Sequence, residues 1–137
     1  MVIYLLDTNT CIQFLTGRSD SVMAHMKSLH PSQIRLCSIV RSELAYGAWK
    51  SSRPLDNFSK QMNFCNRFIS LPFDDRDAEE CGKIRVGLSS AGKIIGPWDL
   101  QIAAIALVNR VTLVTHNTRE FSRIAGLALE DWEISDN

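Results

Sequence analysis

The sequence predicts an α/β fold, in which a small, mostly parallel sheet is flanked by helices on both faces to give three layers. Short apolar runs alternate with segments of helical periodicity along the chain. One of these segments, from about Trp98 to Asn109, is apolar almost all round, as expected of a helix buried on both sides. The 137 residues, of which 45% are hydrophobic and 22% charged, suit a single domain spanning residues 1–137.

The first half of the chain predicts two strands and four helices. Val2 to Leu6 is a short apolar run, interpreted as a buried strand. Thr8 or Asn9 can cap a helix from about Thr10 to Thr16, which Gly17 stops. There follow a helix from Ser21 to Leu29 closed by Pro31, a strand from Ile34 to Ser38, a helix from Ile39 to Lys50, and a helix opened by Pro54 in which Leu55, Phe58, Met62, Cys65 and Phe68 recur at helical spacing.

The second half predicts three further strands and three helices. Ser70 to Phe73 is a brief strand, and the helix from Arg76 to Ala91 is amphipathic, with an apolar side made of Ala78, Cys81, Ile84 and Leu88. A loop with Gly92, Gly96 and Pro97 leads to the apolar helix. The chain then continues with a strand from Val111 to Thr115, a short helix from Thr118 to Ile124 and a last edge strand from Leu127 to Trp132.

Composition narrows the class of protein. The longest strongly apolar run, Ile102 to Val108, is too short to cross a bilayer, and the N-terminus lacks the basic region of a signal peptide. Four scattered cysteines without a CxxC pair indicate buried thiols in a reducing cytoplasm. The formal net charge of +0 weighs against nucleic-acid binding, which would need local basic patches or bound cations.

Polar residues follow several of the predicted strands, at the sheet edge where parallel α/β folds bind ligands. Asp7 ends the first strand in "YLLDTNTCI" and could start a helix, act as a nucleophile or bind a hard metal ion. Glu43 lies one turn into the next strand's helix, on the side of Ile39, Val40, Tyr46 and Gly47. A carboxylate there either needs a partner or packs its stem and extends its head into water.

Two more groups lie at the same predicted edge. Asp99 is in the first turn of the apolar helix, where it either satisfies the helix N-terminus or binds a ligand. The segment "VTHNTREF" offers Thr115, His116, Asn117 and Glu120, or simply caps a short helix. Carboxylates brought this close repel one another, and Mg²⁺ or Mn²⁺ is the simplest compensation. The chemistry inferred is metal-assisted hydrolysis of a phosphodiester.

The ordered set "LLDTN", "SIVRSELAYGA", "IGPWDLQIAAIA" and "LVTHNTREFSRIAGLALEDW" resembles PIN-domain ribonucleases, and more narrowly the VapC toxins of type II toxin–antitoxin systems. The resemblance covers nearly the whole chain. It implies a PIN-like three-layer fold and an endoribonuclease that uses Mg²⁺, with Mn²⁺ also supporting activity. It further implies RNA cleavage, often of tRNA, to 5′-phosphate and 3′-hydroxyl ends, silencing by a VapB-type antitoxin, and a homodimer.

The resemblance also assigns roles to residues. Asp7, Glu43 and Asp99 occupy the first three acidic positions, which hold the metal. Asn117 stands where the fourth motif usually carries an aspartate, so a second metal site is in question, and Glu120 one turn on is expected to take over. Asn117 and Glu120 would position waters at the metal. Thr115 and Asn9 are expected to orient the carboxylates by hydrogen bonds.

Other side chains and other families were weighed against this interpretation. Of the three histidines, His25, His30 and His116, only His116 lies where it could contact RNA. Local basic groups offer an RNA path, and Phe14, Trp49 and Trp98 offer base stacking or antitoxin contacts beside ordinary core packing. A haloacid-dehalogenase-type phosphatase would need a second aspartate at Asn9, and a receiver domain would need an acidic pair and a late lysine. A non-catalytic binding module on the same fold remains open because of Asn117.

Overall fold

The computed structural model describes residues 1–134 and confirms the predicted α/β class. Five parallel strands form one sheet in the order β3-β2-β1-β4-β5. Their bounds are β1 Tyr4–Leu6, β2 Ile34–Cys37, β3 Ile69–Leu71, β4 Thr112–Val114 and β5 Leu129–Glu130. The single domain predicted over residues 1–137 includes three residues outside the described range, and it stays a prediction.

Within residues 1–134 seven helices accompany the sheet, and all seven predicted helices are present with shifted ends. They are α1 Thr8–Thr16, α2 Asp20–Ser28, α3 Ser38–Trp49, α4 Pro54–Cys65, α5 Asp75–Ser90, α6 Pro97–Asn109 and α7 Thr118–Phe121, with a short 3₁₀ turn at Pro31–Gln33. Helix α4 ends at Cys65, so Phe68 packs into the core from beyond the helix. Glycine at position 17 ends α1 in a left-handed conformation with φ 66°.

The first strand lies at the centre of the sheet. Tyr4 pairs with Ile34 on one side and with Thr112 on the other, and Leu6 pairs with Val114. A central strand is covered by helices on both faces, and accordingly Leu5 and Leu6 are fully buried. Since all the strands are parallel, their carboxyl ends meet at one edge of the sheet.

Helix α6 is the most buried helix described. The five consecutive residues from Ile102 to Ala106 are all fully buried, which confirms the prediction of a helix with two covered sides. Helix α6 packs against α5 and α3. Its N-terminal turn carries Asp99, so a rigid central element positions that carboxylate.

The amphipathic face predicted for α5 is partly wrong. Ala78 is exposed, and Asp77 is buried in its place, in line with Ile84 and Leu88. The helix begins with a capping box in which the Asp77 carboxylate accepts a 2.8 Å hydrogen bond from the backbone N–H of Asp74. This local bond draws the third residue of the helix inward, which periodicity of apolar residues does not reveal.

The last strand is shorter than predicted, and the chain beyond it is part of the core. Only Leu129–Glu130 pairs with β4. Trp132, predicted to end the strand, is fully buried, stacks on His25 of α2 with 4.9 Å between ring centroids, and meets Tyr4 edge-on. The segment after β5 is therefore fixed against α2 and β1.

The cysteines and the hydropathy of the helices agree with the composition. All four thiols are free, three of them buried and Cys81 half-buried. Burial raises the pKa of Cys37 to about 11, so this thiol is unreactive at neutral pH. Within residues 1–134, no helix combines the length and the apolar character needed to span a bilayer.

Candidate active site

Asp7 follows β1 directly and begins α1. It is 6% exposed, its backbone N–H donates to the carbonyl of Val114 at 3.0 Å, and its Oδ1 accepts a 2.8 Å hydrogen bond from the N–H of Thr10. Asp7 is thus itself the residue that caps α1, and the prediction that Thr8 or Asn9 would do so was wrong. One carboxylate oxygen caps the helix, which leaves Oδ2 available to a ligand.

The pKa of Asp7 is raised by its burial. Hydrogen bonds from Thr115 and Thr10 counteract the rise, and the nearby charge of Asp131 adds to it. Thr115 is itself fully buried, and the role expected of it, to orient this carboxylate, stays a prediction. A buried carboxylate of this kind gains from a bound cation.

Glu43 is half-buried on α3, and its carboxylate is oriented by a residue that sequence reasoning missed. The hydroxyl of Thr8 donates to Oε1 of Glu43 at 2.8 Å. The predicted orienting residue, Asn9, is exposed and makes no side-chain hydrogen bond within residues 1–134. On the face shared with Glu43, Val40 is buried whereas Tyr46 is exposed, so Glu43 lies at the boundary between core and solvent.

Asp99 is the carboxylate most affected by the others. Burial, followed by the charges of Asp7, Glu43 and Glu120, raises the pKa of Asp99 to about 6. These four acids come from four separate helices or helix starts, and their mutual influence shows that the fold gathers them at one edge. Asp7, Glu43 and Glu120 reach this edge from segments that follow strands, whereas Asp99 reaches it from the start of α6, which leads into β4.

Asn117 and Glu120 form one unit at the start of α7. The Asn117 side-chain amide donates to Oε2 of Glu120 at 2.8 Å, and the Asn117 backbone N–H donates to the hydroxyl of Thr115 at 3.0 Å. Asn117 therefore holds Glu120 in place instead of supplying a charge of its own. The negative charge of this motif is on Glu120, and this charge contributes to the raised pKa of Asp99.

The donor set fits a hard divalent cation. Carboxylate oxygens are the ligands that Mg²⁺ and Mn²⁺ prefer, and the residues described contain no ion pair between these acids and a lysine or arginine. In another group, made of His116, Asp131 and Glu133, one ligand atom from each residue lies within 4.8 Å of the others. Within residues 1–134 the carboxylates of Asp7, Glu43 and Asp99 do not come as close together as that. Oxygens bound directly to one Mg²⁺ at about 2.0–2.1 Å lie no more than about 4.2 Å apart, so these carboxylates would move closer on binding or bind partly through the waters that Mg²⁺ keeps.

The aromatic and basic candidates occupy different environments. Phe14 packs against Phe64 at 5.5 Å between centroids, as in an ordinary core contact. Trp98, next to Asp99, is 56% exposed, and Trp49 is half-exposed and stacks on Phe58 at 4.6 Å. The groups predicted to offer an RNA path are Lys50 with Arg53, Lys83 with Arg85, Lys93, and Arg119 with Arg123; Arg53 is engaged by Asp56.

Comparisons with known proteins agree with this geometry. The family model described as "PIN domain" matches residues 4–127. The tRNA(fMet)-specific endonuclease VapC of Salmonella typhimurium is 37% identical over 132 residues, covering 96% of this chain and 99% of the relative. Ribonuclease VapC2 of Rickettsia felis is 38% identical over 133 residues, with the same coverage.

Comparison of the fold with solved structures also gives VapC-containing complexes. The chain matches the DNA-bound VapBC structure from Salmonella typhimurium with a TM-score of 0.89 at 37% identity, covering 96% of this chain and 99% of that one. It matches the structure of VapBC2 from Rickettsia felis, bound to a DNA fragment from their promoter, with a TM-score of 0.87 at 38% identity and the same coverage.

Proposed function

Since the chain belongs to the PIN-domain family, and within it to the VapC ribonucleases, we propose that it is the toxin of a type II toxin–antitoxin pair and a metal-dependent endoribonuclease. The feature that carries this proposal is the gathering of Asp7, Glu43, Asp99 and Glu120 at one edge of the parallel sheet, where burial and the three other charges together raise the pKa of Asp99. Such a concentration of negative charge is costly for a fold unless the protein uses it to bind a cation.

Three carboxylates would hold the cation. Asp7, Glu43 and Asp99 supply the oxygen ligands, and Mg²⁺ or Mn²⁺ bound there supplies positive charge for the phosphodiester and lowers the pKa of the attacking water. Thr8 fixes the orientation of Glu43, and the N–H of Thr10 fixes Asp7. These hydrogen bonds hold the carboxylates in place before the substrate arrives.

Glu43, Asn117 and Glu120 have the supporting roles in the proposed reaction. Glu43 completes the ligand set or orients the attacking water. Glu120, held by the amide of Asn117 at 2.8 Å, orients further water at the site. Because water is the nucleophile, the RNA 2′-hydroxyl takes no part in the attack, and the products are a 5′-phosphate and a 3′-hydroxyl with no 2′,3′-cyclic phosphate.

The proposed substrate is RNA, and tRNA is the first class to test because one relative is named a tRNA(fMet)-specific endonuclease. Trp98 is exposed next to Asp99 and offers a surface on which a base can stack. The formal net charge of the chain is +0, so bound cations and local basic groups such as Lys93 and Arg119 would supply the positive charge that RNA binding needs.

The proposed partner is a VapB-type antitoxin, since the similar solved structures are VapBC complexes. The toxin acts as a homodimer in the cytoplasm and binds no membrane. Half-exposed aromatic side chains such as Trp49 are the kind that anchor a protein partner.

The test compares cleavage by the wild type and by Asp99→Asn, each freed of antitoxin and supplied with Mg²⁺ or Mn²⁺. We expect the wild type to cut RNA and EDTA or Asp99→Asn to abolish cutting, while Glu79→Gln on the exposed face of α5 keeps it. Sequencing the RNA 5′ ends identifies the substrate and the site. Cyclic phosphate products would exclude the proposed reaction, and a metal-loaded wild type that cuts no RNA would indicate a binding module.

A further inference from the structure

A second group of metal-ligating atoms lies outside the set of Asp7, Glu43 and Asp99. His116 Nδ1 is 2.9 Å from Oδ2 of Asp131 and 3.8 Å from Oε2 of Glu133. One ligand atom from each of the three residues lies within 4.8 Å of the others. His116 follows β4, and the two acids follow β5, so two adjacent strands bring this group together.

The group carries negative charge that the protein does not balance. The Asp131 side chain is 7% exposed and that of Glu133 is 20% exposed. Within residues 1–134 neither carboxylate forms an ion pair with a lysine or an arginine, and the imidazole of His116 is their only basic neighbour. A carboxylate buried this deeply is costly without a cation, so the group favours a positive ligand.

The backbone holds the ligand atoms in place. The N–H of Thr115 donates to the carbonyl of Glu130 at 2.9 Å, which joins the two segments just before their ligands. Oδ1 of Asp131 accepts a 2.9 Å bond from the N–H of Glu133, and Oδ2 therefore points to His116. The imidazole is 64% exposed, which leaves room for water to complete a coordination sphere.

We propose that His116, Asp131 and Glu133 form a binding site for a divalent transition-metal ion such as Zn²⁺, with none of its ligands among the nuclease carboxylates. Imidazole selects such ions over Mg²⁺, which prefers oxygen. Metal–ligand distances of about 2.0–2.2 Å place neighbouring ligand atoms roughly 3.0–3.5 Å apart. The pair at 2.9 Å is slightly closer than this and the pair at 3.8 Å is slightly wider, so small side-chain rotations bring both pairs to it.

The ion would join the segment after β4 to the segment after β5. In the metal-free protein the hydrogen bond between His116 and Asp131 occupies the position that the metal would take. This site goes beyond the proposed nuclease function and does not depend on it, because none of its ligands is among Asp7, Glu43 and Asp99.

The experiment titrates Zn²⁺ into the full chain in a large excess of Mg²⁺, which occupies the oxygen-rich nuclease carboxylates. Calorimetry counts the zinc bound, and NMR of the three imidazoles reports which histidine responds. We expect one zinc per chain, a change in the signals of His116 and not of His30, and at least tenfold weaker binding in both His116→Gln and Glu133→Gln. Asp99→Asn is the matched control and should bind zinc as the wild type does.

Three results would overturn the proposal: zinc binding lost in Asp99→Asn, zinc binding unchanged in both variants of the group, or no zinc bound by the wild type. Glu133→Gln keeps the shape of a partly exposed side chain, so loss of zinc in a variant with an unchanged circular dichroism spectrum reports on the site and not on folding. RNA cleavage by the same samples tests the proposed nuclease separately, so that failure of one proposal is distinguishable from failure of the other.

Discussion

The hydroxyl of Thr8 lies 2.8 Å from Oε1 of Glu43, a residue 35 positions later in the chain. This bond connects the first turn of α1 to α3. Asp7, which begins α1, and Glu43, which α3 carries, are both proposed metal ligands, so the relative position of the two carboxylates depends on their neighbour Thr8. A hydrogen bond to a charged carboxylate contributes more than one between neutral groups.

Removing this hydroxyl should loosen the cation site. We expect Thr8→Val to weaken Mn²⁺ binding and RNA cleavage by about tenfold, because partners that orient metal ligands change affinity by that order. Thr16→Val is the matched control, since the Thr16 hydroxyl bonds only to the carbonyl of Ile12 within the same helix. Isothermal titration with Mn²⁺ measures the affinity. Equal losses in the two variants would show that the effect comes from α1 and not from Glu43.

Two substitutions of Asp7 should distinguish its structural role, as the cap of α1, from its chemical role as a proposed metal ligand. Asp7→Asn keeps an oxygen that can accept the N–H of Thr10, and it removes a buried charge, so we expect the metal-free variant to unfold at the same or higher urea concentration than the wild type at neutral pH. Asp7→Ala loses the cap and should be less stable than Asp7→Asn by about 1 kcal/mol.

Both Asp7 variants should lack RNA cleavage, whereas Ser19→Ala, which removes the comparable cap of α2, should lose stability and keep cleavage. Urea unfolding followed by circular dichroism and a cleavage assay distinguish the two effects. An Asp7→Asn protein that still cuts RNA would contradict the assignment of Asp7 as a ligand.

We expect Glu120 to supply the negative charge at the cation site that the uncharged amide of Asn117 does not supply. We expect Glu120→Gln to reduce cleavage by about ten- to a hundredfold, because Glu120 is one of the charges acting on Asp99 and would help to retain the cation. Asn117→Ala, which removes the 2.8 Å bond to Glu120, should give a smaller loss that higher Mn²⁺ partly restores. Cleavage rates measured across Mn²⁺ concentrations, with Glu79→Gln as the control, decide the point; no loss in Glu120→Gln would exclude this role.

The stability of the metal-free protein should depend on pH through Asp99. Burial and neighbouring charges raise the pKa of this carboxyl from 3.8 to about 6 in the folded protein. The folded protein then holds a proton that the unfolded chain has released, so the contribution of Asp99 to stability is full below pH 3.8 and is lost as the pH rises through about 6.

We therefore expect the wild type in EDTA to lose stability relative to Asp99→Asn between about pH 4 and about pH 7.5, and Mg²⁺ to recover the loss at the upper pH. Thermal unfolding of both proteins at a series of pH values makes the comparison. If the unfolding temperatures of the two proteins changed with pH in parallel, the pKa of Asp99 would not be raised in the folded protein.

Much of this site could be predicted because strand ends of a parallel sheet converge. Asp7 directly follows β1, Glu43 lies on the helix after β2, and Asp99 lies in the first turn of α6, which leads into β4. Their approach therefore follows from topology and not from fine packing. The burial of α6 could be predicted equally well, because its sequence is apolar almost all round, and six of its residues are buried. These features depend on patterns that persist over several residues.

What the sequence did not predict depends on contacts between elements. The bond between Thr8 and Glu43 requires the crossing of α1 and α3, which no local pattern reveals. Asp131 was hidden inside a predicted strand from Leu127 to Trp132, whereas the real strand ends at Glu130. Had that end been placed correctly, Asp131 would have been recognised as another acid that follows a strand.

The position of β1 has a consequence for how the protein is made. The central strand β1 is synthesised before the other four strands of the sheet, yet one of its two neighbours, β4, begins more than a hundred residues later, at Thr112. Such distant pairing slows folding and delays it until most of the chain exists. The carboxylate of Asp7 thus meets Asp99 and Glu120 only after the chain has extended past Thr112. Until then the carboxylates proposed to hold the metal are not all gathered, so a chain at that stage of synthesis would lack the proposed catalytic site.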